Sequence, residues 1–420
     1  MPFRPRRPMR PRAPVVPFLA AGALAIGAAL GCAKRPATSQ PAPLVRWPAE
    51  CLIGQGGPTT SDTIVAAFDD TSDARRAQLA NTREAPVRFD CMGQPWPGLA
   101  VRWSRDTSAR FWTLVLKPAA TADTDALWTA GALAAAWRDD SAAASTLRYA
   151  GVTAVVPLDD QRVVVELARP AMDLPFVFGD RSLGVPGQAP VALAAVSATS
   201  ADLRDAIDRG VDFLQAHDPT VLDYARRRHE LGEAALPWSR AYMLLLPPGA
   251  QAKPLIPSDT AALRASLAGD AVSAVAEDAR PGSGPSWWRE TAECPSRPSL
   301  RPAQPTPERI AYRSDDRVAQ ALAERLVALG ASASAGELRA RGLAPDSLRA
   351  ALRLGAARAF VVSVPLNATA PCRELADWPA RPTVVPLIDT RARILVRRGV
   401  GPLAVERDGA VRPAEASETP

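Results

Sequence analysis

The chain has 420 residues, of which 22% are charged and 47% hydrophobic, with a formal net charge of +6. A single core rarely grows to that size, so more than one lobe is expected. Arg4, Arg6, Arg7, Arg10 and Arg12 open the chain without any acid, and taking those five from +6 leaves +1 for the remainder, which excludes the broad basic field of a nucleic-acid-binding protein.

Residues 13–30 carry no charge and end at Gly31-Cys32. A positive start, an apolar run and small residues in that order make an export signal, residues 1–31, that is removed before folding. An uncleaved anchor is the rival reading. The run has 18 residues, only just enough to span hydrocarbon, and Pro14 and Pro17 break its first turns. Residues 33–44, rich in Pro, Ala, Ser and Thr, read as a flexible tether. Residues 111–116 (FWTLVL) are β-prone. The apolar runs 151–157 and 162–167, joined at Asp159-Asp160, predict a hairpin. Residues 279–307 are Pro-, Ser- and Gly-rich and predict a long surface loop holding Trp287, Trp288 and Cys294. A strand at 310–312 precedes a helix opened by Asp315-Asp316, with Val318, Leu322, Leu326 and Leu329 on one face and Gly330 at its end. Pro345 starts another helix, Gly355 ends it, and 360–362 follows as a strand. This alternation predicts an α/β protein with an open, partly parallel sheet.

Catalytic signatures are weak. The chain has only His217 and His229, and His229-Glu230 lacks the second histidine of a zinc protease helix. Both histidines are expected on polar faces of surface helices. There is no G-x-S-x-G, and Gly54-Gln55-Gly56-Gly57 lacks the Lys-Ser/Thr of a phosphate loop. No enzyme, cofactor or metal is expected. Trp103, Trp112, Trp128 and Trp137 are expected in a core. Trp287, Trp288 and Trp378, in Pro-rich stretches, are the better candidates to line a cleft.

Two resemblances sharpen this outline. Ala29-Leu30-Gly31-Cys32 resembles the lipobox of bacterial lipoproteins, with Ala29 in place of the usual Leu; it implies a lipid on Cys32 and a tether from 32 to 44. Residues 83–91 (REAPVRFDC), Pro97-Gly98-Leu99-Ala100 with Trp103, and 112–116 are similar to successive motifs of the extracellular solute-binding proteins of the oligopeptide, dipeptide and nickel type. So are Thr129-Ala130, the 151–170 hairpin, Gly210-Val211-Asp212, 238–246, 263–267, 309–330 and 385–409. The resemblance implies a two-lobed periplasmic-binding-protein-like fold with an interlobe cleft. A first lobe would span 45–257, with a β-rich subdomain near 89–170. A second would span 258–384, with 385–413 returning to the first and 414–420 as a tail. It implies capture of a peptide or other small solute for ABC permease subunits, by a monomer lipid-anchored on the periplasmic side of a membrane.

Asp377-Trp378-Pro379 is followed almost at once by Val385-Pro386-Leu387, so the second lobe is expected to be shortened. That leaves an alternative: a degenerate binding-protein fold serving as an envelope scaffold for protein partners. The discriminator is whether polar groups still converge between the lobes. By the family pattern, Asp377 would meet a peptide's amino terminus, with Glu374 and Trp378 beside it; helix capping or solvent exposure is the competing role for these acids. With Cys32 lipidated, Cys51, Cys91, Cys294 and Cys372 remain, and four cysteines allow three pairings. Cys51–Cys91 and Cys294–Cys372 are favoured because each stays within one lobe. Zinc is a poor rival, since no two cysteines have a C-x₂₋₄-C spacing.

Overall fold

The computed structural model describes residues 47–54, 63–117, 128–186, 192–197, 203–248, 260–274, 278–285, 306–331, 338–366, 374–378 and 382–414. The signal, Cys32, the tether, Trp287, Trp288, Cys294 and Cys372 lie outside them. Among the described residues no helix is long and apolar enough to cross a membrane.

Two mixed sheets organise the molecule. The first has five strands in the order 192–197, 63–68, 213–216, 393–397, 231–235; the first three are parallel and the rest antiparallel. Strand Thr63–Phe68 feeds helix Thr71–Thr82, which lays Ala74 and Ala77 on one face of this sheet. Helices Leu203–Asp208 and Pro219–Arg226 cover the other. An antiparallel subdomain is attached to this lobe: strands 100–105, 111–116, 162–167 and 152–157 in that order, backed by helices Ala130–Asp139 and Ser141–Tyr149. The predicted hairpin is there, with the Asp159 carboxylate accepting the Gln161 and Arg162 N–H groups at its turn. Trp112 and Trp137 are buried in its core and Trp103 and Trp128 pack against it.

Two of the family-like motifs acquire physical reasons in this lobe. A side chain on Gly98 would lie 2.0 Å from the Ala85 carbonyl oxygen, so Pro97-Gly98-Leu99-Ala100 can run against 85–86 only with glycine there. Leu99 and Ala100 then donate to the Ala85 and Pro86 carbonyls at 3.0 Å. In Thr129-Ala130 the threonine caps the following helix, its hydroxyl accepting the Ala132 N–H at 3.1 Å.

The second sheet has six strands in the order 278–281, 383–391, 240–246, 357–365, 306–313, 339–343. Its central strand, Arg240–Leu246, is buried at every position. Tyr242, Leu244 and Leu246 face helices Thr260–Ala274 and Arg317–Ala331, whereas Ala241, Met243 and Leu245 face helix Pro345–Leu354. Gly355 ends that last helix in the left-handed conformation, φ 60°. Burying each large apolar side chain here is worth about 1.5–3 kcal/mol.

The chain crosses between the sheets at 236–239 and again at Ala392. Strand 240–246 is apolar on both faces, and helices cover it on both sides of the second sheet. The crossings run side by side: Leu236 donates to Ala392 and Ser239 to Thr390 through backbone N–H groups, at 3.0 and 3.3 Å. Despite the expected shortening, the second sheet is continuous.

The Cys51–Cys91 disulfide is present, with Cα atoms 5.4 Å apart. It joins the start of the first lobe to the strand Val87–Phe89, beside Trp47 and Trp96.

Candidate functional site

In an open α/β sheet, side chains that act on a ligand collect beyond the carboxyl ends of the parallel strands. Here those ends meet one another. From the first lobe, strand Thr63–Phe68 runs into Asp69-Asp70 and strand Phe213–Ala216 into His217-Asp218. From the second, strand Thr306–Arg313 runs into Asp315-Asp316 and the helix that begins at Arg317. The start of the 240–246 strand adds Arg240.

The acids of the first lobe are held rigidly. One Asp69 oxygen accepts the His217 and Asp218 backbone N–H groups at 2.5 and 2.9 Å, and the other lies 3.2 Å from His217 Nδ1. Asp73, in the first turn of its helix, is almost fully buried. It pairs with Arg76, accepts from Gln215 Nε2 at 3.1 Å, and lies 3.5 Å from Arg240 Nη2 and 3.8 Å from His217 Nε2. Burial alone would raise its carboxyl pKa; the charges of Arg76, Arg240 and His217 outweigh it and hold the group below the usual carboxylate value. Burial pulls His217 the other way, and the Asp69 and Asp73 carboxylates overcome it to raise the imidazole pKa. His217 is thus not on a helix surface as expected. It sits in the loop after a strand, enclosed by acids, whereas His229 is exposed in a turn.

The second lobe answers with arginines. Arg240 Nη1 bonds to Asp70 at 2.8 Å, Arg317 Nη1 to Asp218 at 2.8 Å, and Arg313 Nη2 lies 3.8 Å from Asp70. Arg240 is buried, yet Asp70, Tyr242, Asp73 and Asp316 hold its pKa well above the ordinary guanidinium value. Asp316 accepts from Tyr242 Oη at 3.1 Å and Ser363 Oγ at 3.2 Å, and caps its helix through the Ala319 N–H at 2.9 Å. Burial first, and Asp316 second, push the Tyr242 phenol well above its normal pKa. Gln215 Oε1 is buried in the same cluster with no hydrogen-bond partner. Among the described residues no group of three or more His, Cys, Asp or Glu could hold a metal ion.

Of these seam residues only His217 and Asp315-Asp316 were singled out in sequence, the first for a helix surface and the second as a helix opening, though a further signal existed. Both lobes carry a strand, then Asp-Asp, then a helix: 63–68 with Asp69-Asp70, and 306–313 with Asp315-Asp316 one residue further on. Of the residues singled out from sequence, Asp377 pairs with Arg353 at 2.7 Å on the side of the second sheet covered by helix Pro345–Leu354. Trp378 packs on the core of that side, and Glu374 is half-buried at the start of the same turn. A surface cavity of about 720 Å³ lies elsewhere, in the antiparallel subdomain between Arg102, Lys117, Trp128 and Arg162.

No family model matches the chain, and no curated protein matches it. Solved structures do. AgaA from A. tumefaciens R10, in complex with agropinic acid, superposes with a TM-score of 0.57 at 10% identity, covering 80% of this chain and 94% of that one. The chain has the fold of the family 5 solute-binding proteins. NikA from Brucella suis, in complex with Fe(III)-EDTA, gives a TM-score of 0.58 at 11% identity over 84% of this chain and 100% of that one. The pheromone receptor PrgZ, described with its mode of peptide binding, gives 0.57 at 10% over 85% and 100%. At these identities the likeness is one of fold, and the two-lobed architecture is what the chain shares with them.

Proposed function

We propose that this protein is an extracytoplasmic solute-binding lipoprotein that captures a peptide or other small charged solute between its lobes and delivers it to an ABC permease. The observation that carries the reading is the convergence of polar side chains from both lobes at the carboxyl ends of their parallel strands. A scaffold that had lost its ligand would have no use for Asp73, Arg240 and Gln215 buried together there, because burying charge is costly unless it is compensated. The fold neighbours, in complex with agropinic acid and Fe(III)-EDTA or described with a mode of peptide binding, support the same class of activity without chemistry on the ligand. Asp377, Glu374 and Trp378, with Trp287 and Trp288, are proposed as the flank of the same cleft. The 374–378 turn follows strand Ala357–Pro365, whose Pro365 pairs with Arg240 of the seam. Cys32 would carry the lipid and place the body outside the cytoplasm, with Cys294–Cys372 as a second disulfide.

A melting screen tests the reading. The protein is challenged with a broad library of peptides and small polar solutes. A solute at a hundredfold excess over its dissociation constant raises stability by about 2.7 kcal/mol. Asp70→Asn should remove the shift, and Asp377→Asn should weaken it if that acid meets the solute. A library without a single hit would favour the scaffold. Metabolic labelling with a fatty-acid analogue should tag the wild type and not Cys32→Ser.

A further inference from the structure

Each apolar cluster among the described residues belongs to one lobe: two flank the first sheet, one fills the antiparallel subdomain, two flank the second sheet, and one surrounds the disulfide. What spans the lobes at the seam is charge. The first lobe presents Asp69, Asp70, Asp73 and Asp218, and the second presents Arg240, Arg313 and Arg317. At 2.8 Å, Arg240–Asp70 and Arg317–Asp218 are in direct hydrogen-bond contact, so no solute group fits between the partners.

We propose that these cross-lobe ion pairs are a latch that holds the two lobes together by itself, and that a solute enters the seam by replacing them. The two main pairs differ in character. Arg240 and Asp70 are nearly buried, at 9% and 12% exposure, and are shielded from salt. Arg317 is 60% exposed, so its pair with Asp218 is the one that salt screens. Opening the seam without a replacement strands Arg240, whose 3.5 Å contact with Asp73 also crosses it, while Asp73 keeps Arg76 on its own lobe. The second half of the proposal rests on the solute-binding reading. A solute that parts the lobes there brings a cationic group for the Asp70 side and an anionic group for the Arg240–Arg313 side, because each buried charge must keep a counter-charge.

The test measures the distance between spectroscopic labels, attached through genetically encoded side chains, at the exposed positions Arg209 of the first lobe and Ala350 of the second in the whole chain in detergent. At low salt the wild type should show a single short distance. Asp70→Asn combined with Arg317→Glu should raise the share of longer distances at least about tenfold, since it breaks one pair and makes the other repulsive. Arg317→Lys keeps the charge and should behave as wild type. Both substitutions spare Arg240, whose loss could unfold the strand. Distance distributions that are the same in wild type and double variant would overturn the latch, as would a wild type already open at low salt. In the melting screen, hits carrying charge of one sign only, or none, would overturn the replacement step. A screen with no hits would count against solute binding itself, while the label distances would still decide the latch.

Discussion

The Cys51–Cys91 disulfide closes a loop with a sequence separation of 40. In a loop-entropy model a link across that many residues removes about 4 kcal/mol of freedom from the unfolded chain. Little else holds this end of the molecule. Strand Leu52–Ile53 makes a two-residue pairing with Leu403–Val405, and Trp47 packs between Arg88 and Arg412, with ring-to-guanidinium distances of 5.0 and 5.6 Å. Cys51→Ala with Cys91→Ala should therefore lower the stability of the first lobe by most of that amount. The urea midpoint for unfolding this lobe should drop by on the order of 1 M. Fluorescence of Trp47 and Trp96, whose rings are 5.3 Å apart, reports the region directly. An unchanged midpoint, with no new protease cut near residue 54, would show that the packing around Trp47 suffices and refute the entropic reasoning.

Three further outcomes are expected. His217 has its pKa raised in the fold, so the stability it contributes is complete below about 6.5 and is lost as pH rises through the raised value. Asp73, lowered, works in the opposite sense: its contribution is complete above about 3.8 and disappears as pH falls through the lowered value. Melting temperature should therefore decline on the alkaline side of the unfolded histidine pKa, and His217→Gln should flatten that limb; an identical profile in the variant would refute the assignment. Trp137, 2% exposed and donating to the Leu183 carbonyl at 2.8 Å, should cost about 3–5 kcal/mol when replaced by Ala, read as a fall in the denaturant midpoint. Non-reducing peptide mapping should find Cys294 linked to Cys372; free thiols, or a link from Cys91 to Cys294, would contradict that pairing.

The parts of the fold that were legible in the sequence are those set by local chemistry. Hairpin 151–167, the helix ended by Gly355 and the helix after Asp315-Asp316 each carry their own turn or cap residues. So does Gly210-Val211-Asp212: Gly210 takes φ 89°, and the Asp212 carboxylate accepts the Val65 N–H at 2.8 Å, fastening the turn to the neighbouring strand. The crossing at 236–239 was less legible, because four residues between two strands are too short a stretch to stand out as a linker. Trp238 is the exception in hindsight. It lies between Arg280 and Arg391, 4.4 and 4.7 Å from its ring, while also packing on the core beneath helix Pro345–Leu354.

The seam was illegible for a different reason. Its members come from five separate stretches of chain, and several have a sufficient local role. Asp218 caps the helix Pro219–Arg226 through the Thr220 N–H, and Asp316 caps the helix that follows it. A cap is all that sequence can see in such an aspartate; its second oxygen, turned to Arg317 or Ser363, is visible only once strand order brings the partner. The same division of labour bears on how the molecule moves. The lobes share two adjacent crossings and a row of ion pairs, while their apolar cores stay separate. Turning one lobe on the other therefore exposes little apolar surface, and its cost falls on charges that must find new partners. Such an arrangement would make the lobe equilibrium answer to the charge placed between the lobes, as the proposed capture of a charged solute requires.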